Sequence, residues 1–396
     1  MKKTYLDNSA TTPVDKKVLS AMSKYWASEF GNPSSIHSMG VTAKVALQKA
    51  RKTTANLIGG HDREIIFTSG GTESNNLAIF GLVNYLLKNG KKYSEIHLIT
   101  TEIEHSSILE CYKKLEKEGC KVDYLKVDEF GLLNPRDLRE MIKPETALVS
   151  VGYANGEIGV IQPIKEIIKE IRHCKKEFGR EKIGLPLFHS DASQAGLYLN
   201  MNVEELGFDL LTIDAQKMYG PKGVGVLFVR DGIQIEPMFF GGGQENNRRS
   251  GTENIPLIVG MEYAFELARK TKDKESQRQI KIRNYFFEQI KKNIPQVIIN
   301  GHLEYRLPNN INISIPGQDG EMLVFRLDES GIICSSSSAC ASGSGESTVV
   351  RTIAEKTNAS HEEIGLRAKS TLRFSMGKET KIGDIKRLIK ILVKYC

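Results

Sequence analysis

Long apolar segments are missing from this chain of 396 residues. A membrane-spanning helix needs about 20 consecutive apolar residues, and no stretch is that long. The first residues, Met1 to Asp7, carry charge without the apolar core of a secretory leader. We therefore expect a cytoplasmic protein without a membrane partner.

Cysteine is also scarce, with six residues at irregular spacing and no C-x-x-C pair. In a reducing compartment this pattern predicts mostly free thiols, and it offers no metal-ligand spacing. We expect at most one or two functional thiols and no metal site. The cysteines are Cys111, Cys120, Cys174, Cys334, Cys340 and Cys396.

A strong excess of one charge is missing as well. The 55 Lys and Arg and the 48 Asp and Glu give a net charge of +7, and they are scattered over predicted helix faces. Without a basic stripe interleaved with aromatics, nucleic acid is not expected as a direct partner. The hydrophobic content of 40% is typical of a globular protein, and the length favours a large domain plus a smaller one.

From residue 64 to about 230, short β-rich runs, among them 97–101, 147–154 and 210–214, alternate with amphipathic runs. This alternation predicts an α/β domain whose mainly parallel sheet is covered by helices on both faces. A long helical stretch after Asn254, followed by a few further strands, predicts a smaller α+β domain. The predicted divisions are 15–258 for the large domain, 1–14 with 259–396 for the small one, and about 331–348 for a loop of small residues within it.

Lys217 follows a predicted strand and precedes a turn rich in proline and glycine. Ligands of parallel sheets bind at the carboxyl ends of strands, where a lysine can bind an aldehyde cofactor covalently. By itself the segment fits a surface lysine beside a turn better. Asp191 follows another strand, where a carboxylate suits a pyridinium nitrogen, although an ordinary turn aspartate fits as well.

A third signal is the helix entry at Gly71 and Thr72, where glycines and unpaired N–H groups attract a phosphate. Alone, this entry is more typical of a capped helix start. Together, a lysine, a carboxylate and a phosphate-binding turn at strand ends meet three separate demands of pyridoxal 5′-phosphate (PLP). We predict PLP as the cofactor.

Several segments, in this order, make the chain resemble the cysteine desulfurases over nearly its whole length. The resemblance implies the PLP-transferase fold type I of the class V aminotransferase group, with a seven-stranded sheet, in the housekeeping branch with the longer cysteine loop. The segments are Tyr5–Pro13, Gly31–Ser35, Phe67–Ser74, Asn155–Gly159, the Asp191 segment, Lys217–Gly225, Arg249–Thr252, Ser338–Cys340 and Arg373–Ser375.

The resemblance implies that L-cysteine is converted to L-alanine and that Cys340 receives the sulfur as a persulfide. Lys217 would hold PLP and abstract the α-proton, while His105 would stack over the ring and move protons. The sulfur would pass to an acceptor protein, either an iron–sulfur scaffold or a tRNA-thiolating enzyme. Cys334, in the same loop, is the competing thiol, but it lacks the Ser-x-Ala-Cys setting.

Further roles are implied by the resemblance alone. Arg373 would bind the substrate carboxylate, Asn155 and Gln194 would bond the phenolic oxygen of the cofactor ring, and Asn155 would also contact the substrate. Thr252 would reach the phosphate of a neighbouring subunit, which implies a homodimer. Each of these residues also fits an ordinary structural role as a cap, a turn residue or an ion-pair partner.

One segment departs from the family pattern. Relatives commonly carry serine, a small residue and histidine before the lysine, whereas this chain has Asp214, Ala215 and Gln216. Gln216 can still donate to the phosphate, but a carboxylate beside a dianion is unfavourable. Two alternatives stay open: another class V PLP enzyme, such as an aminotransferase or selenocysteine lyase, and a catalytically weakened partner protein of the same fold.

Overall fold

A computed structural model describes residues 3–180, 184–336 and 345–396, and the predicted nucleophile Cys340 lies outside these ranges. The strands are β1 Thr4–Tyr5, β2 Ile65–Thr68, β3 His97–Thr101, β4 Lys121–Leu125, β5 Thr146–Ser150, β6 Leu187–Asp191, β7 Leu210–Asp214, β8 Gly225–Val229, β9 Ile298–Ile299, β10 Asn310–Ser314, β11 Ile332–Ile333 and β12 Thr371–Ser375. The helices are α1 Lys16–Ala27, α2 Ser38–Leu57, α3 Gly71–Lys88, α4 Ser106–Lys117, α5 Pro135–Met141, α6 Ile164–Glu177, α7 Val203–Leu206, α8 Gln244–Asn247, α9 Ile255–Asn293, α10 Gly320–Glu329, α11 Thr348–Ala354, α12 His361–Lys369 and α13 Ile382–Tyr395.

Seven strands form the central sheet, in the order β2-β8-β7-β6-β5-β3-β4. The pairs from β7 to β4 are parallel, whereas β8 is antiparallel to both β2 and β7. The prediction of a mainly parallel, seven-stranded sheet is therefore confirmed. All its strands except β8 run in one direction, so their carboxyl ends form a single edge.

Burial explains why these segments are strands. Every residue of β3, β5, β7 and β8 is buried, as expected for strands covered on both faces. Successive side chains alternate between two apolar cores: Leu148 packs with the core of α3 and α4, and Val149 with the core of α2, α6 and α9. Because successive side chains of a strand point to opposite faces of the sheet, the same strands contribute residues to both cores.

Most predicted elements lie within a few residues of their predicted bounds. The strand predicted at 147–154 ends at Ser150, because beyond it the chain keeps only single backbone bonds from Val151 and Tyr153 to β6. The alternation begins at residue 64, so it does not predict α1 or α2. These two helices pack on α9, as the cluster of Val18 and Met22 with Ala264 illustrates.

A further apolar core is separate from those on the sheet. It joins Leu6 to apolar side chains between Ile282 and Leu392, around the antiparallel sheet β12-β10-β9. Strand β1 pairs parallel with β11, which ties the N-terminal arm to this unit. Val350 and Ile353 of α11 pack in a core of the central sheet. The division at 258/259 stays a prediction.

Helix α9 carries the chain from one unit to the other over 39 residues. Phe265 packs in a core of the central sheet, and Phe286 packs in the core around β10. Among the helices of the described ranges, none is both long and apolar enough to cross a membrane.

Candidate active site

Five of the predicted site residues lie at the carboxyl ends of five strands of the central sheet. Gly71 follows β2, His105 follows β3, Asn155 follows β5, Asp191 ends β6 and Lys217 follows β7. These five strands share one direction. The five residues therefore come to the same edge of the sheet, where ligands of open α/β sheets bind.

Lys217 closes a short 3₁₀ turn, Ala215–Lys217, directly after β7. Its Nζ donates to the backbone oxygens of Ser9, 2.9 Å away, and Ala10, 2.6 Å away. Gln194 Nε2 donates to the same Ser9 oxygen at 3.0 Å. The lysine and this glutamine therefore meet at one carbonyl group of the N-terminal arm.

The N-terminal arm, residues 7–12, belongs to the site although no role for it was predicted. Thr12 Oγ1 donates to the backbone oxygen of Gln216 and accepts from the backbone nitrogen of Tyr219, each at 2.8 Å. Tyr219 has φ 63°, a left-handed conformation that is strained for a residue with a side chain. The arm thus fixes the lysine turn on both sides. Its signal in the sequence was the segment Tyr5–Pro13.

Asp191 accepts two hydrogen bonds, from Asn75 Nδ2 at 2.8 Å and from the backbone nitrogen of Ser193 at 2.9 Å. Asn75 is fully buried in α3, and its Nδ2 also donates to Ser107 Oγ at 2.8 Å. Donors from two elements therefore hold the carboxylate. Sequence reasoning missed Asn75 and Ser107, because a polar residue within a helix gives no local sign of its partner.

His105 is exposed and forms the N-cap of α4. Its Nδ1 accepts from the backbone N–H of Ser107 at 3.2 Å and lies 2.8 Å from Ser107 Oγ. A cap residue accepts a hydrogen bond from the first turn of its helix, and here an imidazole nitrogen has that role. The start of α4 therefore orients the imidazole at the sheet edge.

The entry of helix α3 allows close approach of the backbone. Gly70 has φ 147°, which favours glycine, and a Cβ on Gly71 would lie 3.1 Å from Ser193 Oγ. Asp214 Oδ2 already occupies part of this entry, accepting from Gly71 N at 3.3 Å and from Gln216 Nε2 at 3.0 Å. The predicted phosphate donors are present, but a carboxylate takes two of them.

The side chain of Asn155 forms its hydrogen bonds within a local turn and with the loop after β3. Its Oδ1 accepts from the backbone nitrogens of Glu157 at 2.8 Å and Ile158 at 3.0 Å, and its Nδ2 donates to a backbone oxygen after β3. This is the turn role that the sequence also allowed. Gln194 packs on the same turn, since a Cβ on Gly156 would lie 3.0 Å from its Nε2. Asn155 therefore supports the loop on which Gln194 rests.

Arg373, on β12, is nearly fully buried. Its Nη2 donates to the Asp7 carboxylate at 2.8 Å and to Ser335 Oγ at 3.3 Å, and its Nη1 donates to the backbone oxygen of Gly156 at 3.3 Å. The guanidinium therefore extends from the smaller unit to the loop of Asn155. Its Nε–H donor is buried and has no hydrogen-bond partner among the described residues.

Thr72 and Thr252 are both exposed. The segment of Thr252 is nevertheless anchored beside the entry of α3, because Arg249 Nε donates to the Glu73 carboxylate at 2.9 Å. Glu73 in turn accepts from the backbone nitrogen of Ser69 at 2.8 Å. A surface position for Thr252 is compatible with a role toward a second copy of the chain.

The two candidate thiols lie in different parts of the cysteine loop. Cys334 directly follows β11 and is 7% exposed. Burial raises the pKa of its thiol well above the usual value, and the nearby Asp7 carboxylate adds to the rise. A buried, protonated thiol is a poor nucleophile. Cys340 lies outside the described residues.

A further carboxyl, that of Glu104, lies at the sheet edge beside His105. It accepts from Thr101 Oγ1 at 2.7 Å and from the backbone nitrogen of Gly152 at 2.9 Å. Burial raises its pKa to about 7 in spite of these two bonds, and Asp191 contributes to the rise. Sequence reasoning did not single out Glu104, because its burial depends on the loop after β5.

Comparison with known proteins agrees with this geometry. The aminotransferase class-V family model matches residues 4–388. Cysteine desulfurase IscS of Dictyoglomus turgidum is 43% identical over 98% of this chain and 93% of its own length. The solved structure of a NifS-like protein has a TM-score of 0.88 at 31% identity and covers 99% of both chains.

A structure of SspA in complex with cysteine has a TM-score of 0.78 at 33% identity, covering 95% of this chain and 99% of its own. The chain belongs to the aminotransferase class-V family and, within it, to the cysteine desulfurases. Enzymes of this family depend on PLP, so the predicted cofactor is confirmed.

The residues present fit PLP in their donor chemistry. The Lys217 amine is held at the sheet edge by two carbonyl oxygens, the Asp191 carboxylate is fixed by two donors, and the entry at Gly71 lacks the side chain that would fill it. The carboxylate of Asp214, which lies at this entry, opposes a phosphate there by its charge.

Proposed function

We propose that this cysteine desulfurase transfers the sulfur of L-cysteine to Cys340, forming an enzyme persulfide and releasing L-alanine. The bond from the substrate β-carbon to sulfur breaks, a sulfur–sulfur bond forms, and a proton replaces sulfur on the carbon. The atoms and electrons balance without a further oxidant. The observation that carries the proposal is the meeting of Lys217 and Gln194 at the Ser9 carbonyl, on the edge that Arg373 also reaches.

PLP would be held by residues from the five strand ends. When bound, PLP accepts the electrons released as bonds at the substrate α-carbon break. Lys217 would hold it covalently, Asp191 would pair with its ring nitrogen, and His105 would lie over the ring. The remaining assigned residues are Gly71, Thr72 and Gln216 for the phosphate, Asn155 and Gln194 for the phenolic oxygen, and Thr252 for the phosphate in the site of a second copy.

Two side chains would move protons. Lys217 would take the proton from the substrate α-carbon once its amine is free, as an amine held at a buried edge can do. His105 would transfer protons at the opposite side of the reacting atoms. Its exposed position at the start of α4 supports this role, because the imidazole is reached from solvent without moving the sheet.

Arg373 would bind the substrate carboxylate. Its Nη2 already holds one carboxylate, that of Asp7, at 2.8 Å, and its Nε keeps a buried hydrogen without a partner among the described residues. A guanidinium pairs with carboxylates through two parallel bonds. The substrate carboxylate would therefore complete the donor set of Arg373, with Asn155 supporting the adjacent loop.

The choice of Cys340 over Cys334 as the sulfur acceptor is supported by the state of Cys334. A thiol must lose its proton to attack sulfur, and burial raises the pKa of Cys334. Its position directly after β11 ties it to the small unit. Cys340 remains the proposed nucleophile on the resemblance of its segment.

We also propose a homodimer. Large apolar side chains are exposed from the end of α1 to the middle of α2 and again near Phe240, which is 88% exposed. Ile36 is 97% exposed and Trp26 is 59% exposed. The two regions are joined, because Arg51 of α2 pairs with the buried Glu245 at 2.6 Å. Large exposed apolar side chains in two segments held together in this way favour burial against a second copy.

The persulfide sulfur would pass to an acceptor protein, either an iron–sulfur scaffold or a tRNA-thiolating enzyme, and we place the reaction in the cytoplasm. Cys111, Cys120, Cys174 and Cys334 are all buried free thiols, which is the state expected in a reducing compartment. Sulfur delivery is tested by incubating persulfidated enzyme with each candidate acceptor and following labelled sulfur.

The deciding experiment is incubation of the purified protein with L-cysteine, PLP and a thiol reductant, measuring alanine and sulfide together. The expected result is equal release of both by the wild type and by Cys334→Ala, and none by Cys340→Ala. Mass spectrometry without reductant should find the extra sulfur on the Cys340 peptide.

The alternatives give different results. Another class V PLP enzyme would release alanine from Cys340→Ala at the wild-type rate. A catalytically weakened partner protein would fail to develop the absorption of a lysine-bound PLP after reconstitution. Either result contradicts the proposal.

A further inference from the structure

A chain of three hydrogen bonds links the Asp191 carboxylate to the His105 imidazole. Asn75 Nδ2 donates to Asp191 Oδ2 at 2.8 Å and to Ser107 Oγ at 2.8 Å. Ser107 Oγ lies 2.8 Å from His105 Nδ1. The two residues in the middle, Asn75 and Ser107, are both buried, so water does not replace their bonds.

The carboxylate at one end of this chain sets the direction of the bonds from Asn75. A carboxylate only accepts, so Asn75 must turn its NH₂ group toward Asp191. The second hydrogen of that NH₂ group then points to Ser107 Oγ, whose own hydrogen is left for His105 Nδ1. The opposite amide orientation would place two acceptor oxygens, those of Asn75 and Asp191, against each other.

Two further observations support this direction. The backbone N–H of Ser107 donates to His105 Nδ1 at 3.2 Å, and a nitrogen that accepts from an N–H carries no proton itself. Asn75 Oδ1 is buried without a hydrogen-bond partner among the described residues. A buried carbonyl oxygen without a partner is unfavourable. The Asn75 side chain keeps this orientation nevertheless, because its bonds to Asp191 and Ser107 both require N–H donors.

We propose that Asn75 and Ser107 are positioning residues that couple His105 to Asp191 and hold the neutral imidazole with its proton on Nε2. His105 then presents a donor at Nε2, which suits it to supply a proton, while removal of the α-proton falls to Lys217. This inference rests on the proposed function only in assigning His105 and Asp191 to one cofactor.

Ser107 is the residue that tests the proposal, because its neighbour Ser106 offers a matched control. Both serines lie in the first turn of α4, but Ser106 is exposed. NMR of protein carrying isotope-labelled histidine shows which ring nitrogen of His105 holds the proton. Apoprotein suffices for this measurement, so its result does not depend on whether the enzyme desulfurates cysteine.

We expect His105 of the wild type and of Ser106→Ala to hold its proton on Nε2 alone. In Ser107→Ala the backbone N–H of residue 107 can still donate to Nδ1, so the proton should shift only in part toward the mixture of the two tautomers expected of an exposed imidazole such as His361. Ser107→Thr keeps the hydroxyl and should retain the wild-type spectrum. An unchanged spectrum in Ser107→Ala, or a wild-type proton on Nδ1, overturns the proposal.

Turnover of the loaded enzyme gives a second readout. Loss of one hydrogen bond to the imidazole should lower kcat of Ser107→Ala about 10-fold with KM for L-cysteine little changed. Ser107→Thr and Ser106→Ala should match the wild type. Equal kcat for all three variants contradicts the coupling, and thermal unfolding of each variant verifies that the fold is retained.

Discussion

Asp214 Oδ2 lies 3.3 Å from the backbone nitrogen of Gly71, the first residue of helix α3. The N-terminus of a helix attracts anions, and here an anionic side chain of the protein itself is bound. Gln216 completes the arrangement by donating its backbone N–H and its Nε2 to the same carboxylate, at 3.1 Å and 3.0 Å. A phosphate at this entry must therefore compete with Asp214 for donors and overcome its charge.

Replacing this carboxylate should strengthen cofactor binding. Asp214→Ser removes the repulsion, frees Gly71 N and Gln216 Nε2, and keeps a hydroxyl that can donate. We expect the Kd for PLP to fall about 10-fold, the equivalent of a repulsion on the order of 1 kcal/mol. Absorbance titration of the apoprotein measures it.

The matched control for Asp214→Ser is Asp231→Ser. Asp231 follows the antiparallel strand β8, at the opposite edge of the sheet, and pairs with Arg63 at the surface. This variant removes the same charge from the protein as a whole and should leave the Kd unchanged. Weaker PLP binding by Asp214→Ser would mean that the carboxylate organises the entry rather than obstructing it.

Arg373→Lys should weaken substrate binding without loss of the cofactor. Lysine keeps the charge but cannot hold Asp7, Gly156 and a substrate carboxylate from one planar group. We expect KM for L-cysteine to rise roughly 10- to 100-fold, as loss of a charged hydrogen bond predicts. Steady-state alanine release measures KM, and the absorption of bound PLP should stay unchanged.

Arg351→Lys is the control for this substitution. Arg351 forms an equivalent two-bond pair with Glu346, at 2.7 Å and 2.8 Å, on α11. The KM of the Arg351→Lys variant for L-cysteine should match that of the wild type. A normal KM in Arg373→Lys would show that the pair with Asp7 is structural only.

The fold was accessible from the sequence because it depends on local patterns. The strands β3 and β7 have their predicted bounds, since runs of buried residues between helices mark parallel strands. Helix α2 was not predicted, because its buried face is made largely of small residues such as Ala43 and Ala50, and its exposed face carries Val41 and Val45. Such a helix shows little amphipathic contrast.

The site was accessible only in part. Lys217 and Asp191 stand at strand ends, where position alone indicates a role. Asn75, Ser107 and Glu104 are connected to the site only through contacts across the sheet edge, which no spacing in the sequence reveals. The roles assigned to the site residues, including those of Asn155 and Thr252, all stand as predictions.

Glu104 should make stability depend on pH. Burial raises its pKa from 4.5 to about 7 in the folded protein. Between these values the folded state keeps a proton that the unfolded chain has released, so the free energy of unfolding falls as pH rises through this interval. Glu104→Gln removes this term and keeps an oxygen for Thr101 and Gly152. The free energy of unfolding of Glu104→Gln, relative to that of the wild type, should rise with pH by up to about 3 kcal/mol.

Urea unfolding of the apoprotein at fixed concentration, at pH values below and above this interval, measures the change. The control is Glu110→Gln, since Glu110 is exposed on α4 and pairs with Lys113 at the surface. Its stability difference from the wild type should be independent of pH. If the free energies of unfolding of Glu104→Gln and the wild type change with pH in parallel, burial does not raise the pKa of Glu104 in the folded protein.

The proposed dimer predicts that a charge at Ile36 separates the subunits. Ile36 is 97% exposed in the single chain, and an apolar side chain buried in an interface contributes about 1.5–3 kcal/mol. A two-fold interface contains the residue twice, so Ile36→Asp should weaken dimerisation at least 10-fold. Sedimentation equilibrium measures the dissociation constant.

Leu303→Asp provides the comparison, because Leu303 is an exposed apolar residue, 51% accessible, on the smaller unit. It should leave the dimer intact. Separation of the subunits by Ile36→Asp should also weaken PLP binding, since the phosphate would lose Thr252 of the second copy. A monomeric Ile36→Asp protein with unchanged Kd for PLP would place Thr252 outside the site, whereas a variant that stays dimeric would place the interface on another face.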